Sequence, residues 1–407
     1  MVIEKLEDIA NVTAGTSPKG ELINSDGIGL PFFQGSKEFG ELVPRPERYT
    51  EHPVRTASEG DVLVGVRAPV GKVNLSPFDC AIGRGVMAVT PKNQSDGKFL
   101  FYFLRYLEGK WDSLGSTGSI FENLSASVLR SVEIPENLNR VKIGEVLYDL
   151  DLKIENNKLL AQNLESTAQR IFRSWFVDFD PVKAKMAGEA PVGMDVETAA
   201  LFPDSMEESE LGLVPRGWRM RLLTDLASIR YGAAFSSKKF NSHGLGLPLI
   251  RIRDLRTQSP SIYTDEDIPR GFAARAGSLL VGMDGEFEPV IWFGEDAWVN
   301  QRVCMVQPKE DCDASFLQFH LKPVLKKIEH GTVGTTVLHL GKSELDSISI
   351  LYPSRELISA YAKISSAILE LRISLAKESI YLRRLRDSLL PRLISGELEM
   401  PDEMLAA

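Results

Sequence analysis

The sequence predicts an α+β fold: two similar mixed α/β domains joined by two long antiparallel coiled-coil helices, pseudo-two-fold symmetric. Three observations predict it. GIGLPFF at residues 27–33 returns as GLGLPLI at 244–250, 217 positions later. The echoed regions hold short β-branched and aromatic runs bounded by Gly and Pro, which is how strands read. Each region is followed by a long stretch with a strict heptad spacing.

The echo keeps its register along the chain. LEDIANVTAG (Leu6–Gly15) lies over LTDLASIRYG (Leu223–Gly232), EGDVLVGV over AGSLLVGM, and KFLFYFL from Lys98 over SFLQFHL from Ser315. The offset slips by one residue at GSTGS (115–119) over GTVGT (331–335). Small slips across a long collinear match point to duplication of a whole folded unit, with a period far too long for a solenoid. We therefore place one domain at 1–138 and a second at 218–353. DVLVGV, GVMAVT, GLPFF, LPLIRI and RVCMVQ read as strands. FLFYFLRYL and FLQFHLKPVLKKI read as short buried helices.

The spacer helices are expected at 139–177 and 354–396. In the first, Ile143, Leu147, Leu150, Ile154, Asn157, Ala161, Leu164, Ala168, Ile171 and Trp175 alternate steps of four and three. In the second, Tyr361, Ile364, Ile368, Leu371, Leu375, Glu378, Leu382, Leu385 and Leu389 do the same, with Ser354 as N-cap and Pro391 with Gly396 as a stop. A helix of roughly 35 residues spans about 50 Å, more than a small domain is wide, so each seam needs an equal partner. Each seam has one polar break, Asn157 and Glu378, and only an antiparallel pairing brings the two level. A buried polar pair of this kind fixes register and direction at some cost in stability.

Between the first spacer helix and the second domain, residues 178–217 hold nine acidic and three basic residues, with Pro, Gly and Ser and no apolar period. They read as a solvated acidic linker. This segment holds two thirds of the net charge of −9. The rest of the chain is nearly neutral, which weakens the argument that so acidic a protein must avoid nucleic acid. A tail occupies 397–407.

Several function classes find no support in the residues. No run of about 18 apolar residues and no leader is present, so a cytoplasmic protein without membrane contact is expected. Cys80, Cys304 and Cys312 are scattered and read as reduced. His52, His243, His320, His330 and His339 lack metal-ligand spacing, and no metal site is expected. GKS at 341–343 has Thr336 where a phosphate-binding loop needs its first Gly. No catalytic set emerges.

Here the residues carry a resemblance. LYDLDLKIENNKLLAQNLESTAQRIFRSWFVDF (Leu147–Phe179) and ILELRISLAKESIYLRRLRDSLLPRLISGEL (Ile368–Leu398) resemble the central and C-terminal conserved regions of specificity subunits of Type I restriction-modification enzymes. The resemblance covers essentially the whole chain in the order domain, helix, domain, helix. It implies a non-catalytic, sequence-specific DNA-binding subunit that reads a bipartite target, one half-site per domain, with the paired helices setting the gap. It implies duplex DNA, two methyltransferase subunits and restriction-translocation subunits as partners. S-adenosylmethionine, ATP and Mg would then sit on those partners, with no cofactor in this chain. Apolar helix residues outside the seam, Phe172, Phe176 and Leu393, would be partner-docking surface. The runner-up reading is a protein-interaction scaffold with two similar lobes on a coiled-coil rod and no DNA role.

Candidate DNA contacts follow from matched loop positions. After the GxGLP strand come Gln34, Ser36 and Lys37 in the first copy, and Arg251, Arg253 and Asp254 in the second. After the VG strand come Arg67 and Lys72, against Asp284 and Glu286. Arg84 stands near Arg302, Ser116 and Thr117 stand against Thr332 and Thr335, and Lys238 and Lys342 complete the set. Arg and Lys suit guanine edges or phosphate, Gln suits adenine, and Asp accepts from cytosine. The copies differ most in charge at these positions, as two modules reading different half-sites would.

Overall fold

The computed structural model describes residues 3–67, 69–111, 123–135, 139–309, 312–331 and 339–400. The chain divides into two compact units, one formed by Met1–Glu155 with Ile380–Ala407, the other by Asn156–Ser379.

In the first unit an antiparallel four-stranded sheet runs in the order Ala10–Ala14, Val86–Pro91, Val62–Gly65, Val73–Leu75. A second four-stranded sheet runs Tyr49–Thr50, Leu30–Phe33, Cys80–Ile82, Thr56–Ala57, and its central pair is parallel. The alternation of these strands feeds two apolar clusters. Val62, Val64, Val73, Met87 and Val89 point to the side taken by the helix Gly97–Tyr106, whereas Leu63, Ala88, Cys80 and Ile82 join Phe33. One strand thus contributes to both cores because successive side chains point to opposite faces.

The second unit repeats these orders with its own residues: Ala227–Tyr231, Val303–Pro308, Leu279–Gly282, Pro289–Ile291 in one sheet, and Tyr263–Thr264, Leu247–Ile250, Ala297–Val299, Ala273–Ala274 in the other. The registers repeat too. Leu30 faces Thr50 and Phe32 faces Ala81, as Leu247 faces Thr264 and Leu249 faces Trp298.

The GxGLP echo has a local cause. Asn24 folds its side chain over the turn, donating to Ile28 O at 2.9 Å and accepting from Ile28 N, and Asn241 does the same with Leu245. The second glycine of each motif, Gly29 and Gly246, has φ of 88° and 84°. A Cβ there would lie 2.4 Å from Thr50 O and 2.2 Å from Thr264 O, so only glycine closes the turn onto its neighbour strand.

Two long helices, Arg140–Phe176 and Arg355–Ile394, continue from the sheets. Ser354 caps the second, its Oγ accepting from Leu357 N at 3.2 Å. That helix runs through Pro391 rather than stopping there. Gly396, with φ of 74°, follows its end, and Leu398 N returns to Arg392 O. The counterpart of the short helix expected at FLQFHLKPVLKKI is the 18-residue Ala314–Gly331, which also accommodates a proline, Pro323.

The helices pair antiparallel within each unit. In the first unit Asp151 meets Arg386, and in the second Asn157 meets Glu378, Glu165 meets Arg372 and Trp175 meets Tyr361. In the second helix Tyr361 and Leu375 are buried as the seam requires, but the alternate seam position is displaced by one residue from the sequence-based one. Ile364 and Leu371 are exposed, while Ser365, Arg372, Ser379 and Arg386, a strict heptad, are buried. Asn157 is buried and donates to Glu378 Oε2 at 2.7 Å, but Glu378 stands at the exposed rim and Ser379 takes the interior position.

The stretch expected as a solvated linker is folded. It carries the helices Asp180–Met186 and Val196–Ala200 and a hairpin of Met206–Ser209 with Gly212–Pro215. Val182, Phe202 and Val214 are buried, the first two within the core of the second unit. Its carboxylates lie along chain whose few apolar side chains plug that core, too widely spaced to register as a period.

Candidate nucleic-acid interface

In the first unit the candidate loops converge at one end of the two sheets. Gly85 N donates to Gln34 O, Val66 N to Gly85 O, and Arg84 N to Ser17 Oγ. A Cβ on Gly65 would lie 2.9 Å from the Ser36 Cβ, so the loops after Leu30–Phe33 and Val62–Gly65 touch through that glycine. Within this cluster the side chains divide by what they already hold. Gln34 is half-buried and donates from Nε2 to Ser17 Oγ at 2.9 Å, and the Lys72 ammonium donates to Phe39 O at 2.7 Å. Both brace the loops. Arg67 and Arg84 are exposed, and Lys37 makes only a solvent-screened pair with Glu47 at 3.1 Å.

The second unit builds the same end with different charges. Met283 N donates to Arg302 O, Leu340 N to Met283 O, and Asn300 N to Ile250 O, which ties the corresponding loops together. Asp284, where the first copy has Arg67, forms an ion pair with Arg302 Nε at 3.3 Å and faces His339 Nδ1 at 2.7 Å. Arg253, Lys238, Lys342 and Glu286 are exposed. His339 is absent from the contacts that the sequence suggests; its only signal there is position, two residues before the GKS segment that holds Lys342.

Some expected contacts do not stand in the open. Asp254 is buried: its carboxylate accepts from Arg251 N at 3.0 Å and Arg251 Nε at 2.9 Å, capping the helix Ile252–Thr257, so it is not available to a cytosine. Arg251 is held by the same pair. Phe172, Phe176 and Leu393, expected to dock a partner, are buried inside the chain instead. Phe172 and Phe176 pack edge-on to Phe316 and Tyr361, and Leu393 joins the core around Leu129 and Ile134. The apolar face of each long helix is wider than a coiled-coil seam because it also covers a sheet domain. Ser116, Thr117, Thr332 and Thr335 lie outside the described residues.

Among the described residues no group of His, Cys, Asp and Glu is placed to hold a metal ion, and no helix is long and apolar enough to cross a membrane. Free Cys80 and Cys304 are buried, and burial pushes their thiols up to about 11 and about 12, far from a reactive thiolate. What remains is two like-built loop clusters with unlike charge.

The comparisons agree with this organisation. The model of the Type I restriction modification DNA specificity domain matches the chain twice, over residues 1–166 and 215–378. The specificity subunit of Type I restriction enzyme HindI from Haemophilus influenzae is 30% identical over 318 residues, 66% of this chain and 69% of that protein. The MjaIX specificity subunit from Methanocaldococcus jannaschii is 23% identical over 435 residues, covering 98% of this chain and 94% of the relative. The crystal structure of a Type I restriction-modification system S subunit from M. genitalium shares the fold, with a TM-score of 0.60, 17% identity and coverage of 98% and 96%. Matched in both of its lobes and along nearly all of its length, the chain belongs to the Type I restriction modification DNA specificity family.

Proposed function

We infer that this chain is the non-catalytic specificity component of a Type I restriction-modification assembly. Each sheet domain reads one half of a split DNA target, and the paired long helices set the gap between halves. The observation that carries this reading is the pair of loop clusters. They are built on the same strand orders and registers, yet present Arg67 and Arg84 in one copy and an Asp284–Arg302–His339 group in the other. A duplicated frame with unlike edges suits two different base sequences, because groove-edge donors and acceptors distinguish base pairs.

Partner subunits carry the chemistry: two methyltransferase subunits with S-adenosylmethionine, and restriction-translocation subunits with ATP and Mg. Outside the acidic segment the chain is nearly neutral rather than basic, so phosphate contacts are modest and tight binding needs these partners. Exposed apolar residues on the first long helix, Leu152, Leu159 and Leu160, are the surface for them in place of the buried phenylalanines.

The test is to incubate the chain with its neighbouring methyltransferase subunit, methyl donor and unmodified genomic DNA, and to map N6-methyladenine by single-molecule sequencing. A split motif with a constant gap, lost when the chain is omitted, is expected. Methylation indifferent to the chain, with an active partner, would move the weight to a protein-interaction scaffold.

A further inference from the structure

Resting on the reading above, we propose that Asp284, braced on its other side by His339, is a positioning residue that presents Arg302 to an acceptor-rich base edge, that of guanine, in the half-site read by the second domain. The three residues come from three separate segments. Asp284 follows the strand Leu279–Gly282, Arg302 precedes the strand Val303–Pro308, and His339 lies just before the helix Lys342–Ser347. Their backbones are tied to one another, Met283 N to Arg302 O at 2.9 Å and Leu340 N to Met283 O at 2.8 Å, and Asp284 and His339 form a bridge of antiparallel type. The carboxylate uses one oxygen for each neighbour, Oδ2 for Arg302 and Oδ1 for His339.

The exposures give the direction of the device. The Asp284 side chain is 26% accessible, whereas Arg302 and His339 are 54% and 48% accessible. The acid is the least exposed of the three, and Arg302 the most. A lone surface Arg loses several rotatable bonds' worth of freedom on meeting a base, and a carboxylate that fixes it beforehand lowers that loss. Guanine offers O6 and N7 side by side in the major groove, and Arg is the commonest residue to take them. The first domain has Arg67 at the position of Asp284 and Gly85 at that of Arg302. The two half-sites should therefore differ at this contact.

The experiment maps methylation by the assembled complex on unmodified genomic DNA for the wild type, Asp284→Asn, Arg302→Ala, Arg302→Lys and His339→Gln. Arg302→Ala and Asp284→Asn are expected to relax one G·C position of a single half-site, with discrimination there falling about tenfold or more. His339→Gln should give a smaller relaxation at the same or the adjacent position. The other half-site and the gap stay as they were, which also reports that the variant is folded and assembled. Should Asp284→Asn fail to assemble, Arg302→Lys decides, since it keeps a cation but loses the two-pronged guanidinium and relaxes the same position.

An unchanged motif overturns the proposal and leaves the specificity reading standing. So does a uniform loss of methylation across all sites with no relaxed position, the mark of a phosphate contact. A wild type with no split motif overturns the specificity reading itself, and this proposal with it.

Discussion

His320 shows what burial does to a single residue. Its ring packs 4.2 Å from Phe316 and 4.7 Å from Phe172, centroid to centroid, and its Nδ1 lies 3.1 Å from Phe316 O. Burial holds it neutral, lowering its pKa from 6.5 to about 4. The unfolded chain takes up the proton first as pH falls, so the stability contributed by the neutral ring is full above about 6.5 and lost toward 4. We expect about 2 kcal/mol to disappear over that window, allowing for the ring's partial exposure. Thermal melts of the wild type and His320→Gln across pH 4–7 check it, and the variant should lose most of this slope. Residue roles were the least legible level of the sequence. Counting heptads treats only seam positions as inward, which left Phe172 and Phe176 looking like surface. Asp254 looks like any loop acid until the Arg251–Asp254 spacing is read as a helix cap.

The long helices were legible in extent and orientation, because a heptad pattern survives any uncertainty at the ends. In the second helix Tyr361 and Leu375 hold their expected places, but the alternate seam position falls one residue later than expected, for a physical reason. Hydrophobicity favours Ile364, Leu371 and Leu385 as seam residues, but the interior goes to Ser365 and Ser379, whose hydroxyls donate to carbonyls of their own helix, and to Arg372 and Arg386, which meet carboxylates of the other helix. Asp151 accepts from Arg386, from Arg105 Nη1 at 2.9 Å and from the Tyr102 hydroxyl at 2.6 Å. Arg372 meets Glu165 at 2.9 Å and lies over the Phe293 ring. A buried ion pair adds little net stability, but breaking it strands a charge. Arg386→Leu should therefore cost about 2–4 kcal/mol, and the double mutant with Asp151→Leu should cost less than the two singles together. Denaturant melts of all three give the comparison, and strict additivity would remove the contact from this account.

For the whole molecule, the duplication was fully legible. The collinear echo gave the repeated strands, and the strand orders repeat as it implied. The acidic stretch was not legible, since three buried apolar residues in forty set no period. The spacer reading carries its own expectation. Inserting one heptad into each long helix, level with Asn157 and Ser379, adds about 10 Å, close to three base pairs at 3.4 Å each. The methylated motif should keep both half-sites and lengthen its gap by about that amount. An unchanged gap would mean that the helices do not set it.

The paired turns at Gly29 and Gly246 bear on how such a protein changes over time. Asn24 and Asn241, Thr50 and Thr264, and Lys92 and Lys309 do matching jobs in the two copies: each threonine hydroxyl accepts from the main-chain N–H two residues on, and each lysine ammonium reaches a main-chain carbonyl of its copy's first helical turn. The loops that differ hang from this frame mainly by main-chain bonds, which are indifferent to side-chain identity. Inheritance is thereby split into two rates within one gene. A randomised library confined to the loop tips should yield soluble chains with new preferences, while the same mutational load on the asparagine and glycine turns should be lost before selection for binding begins.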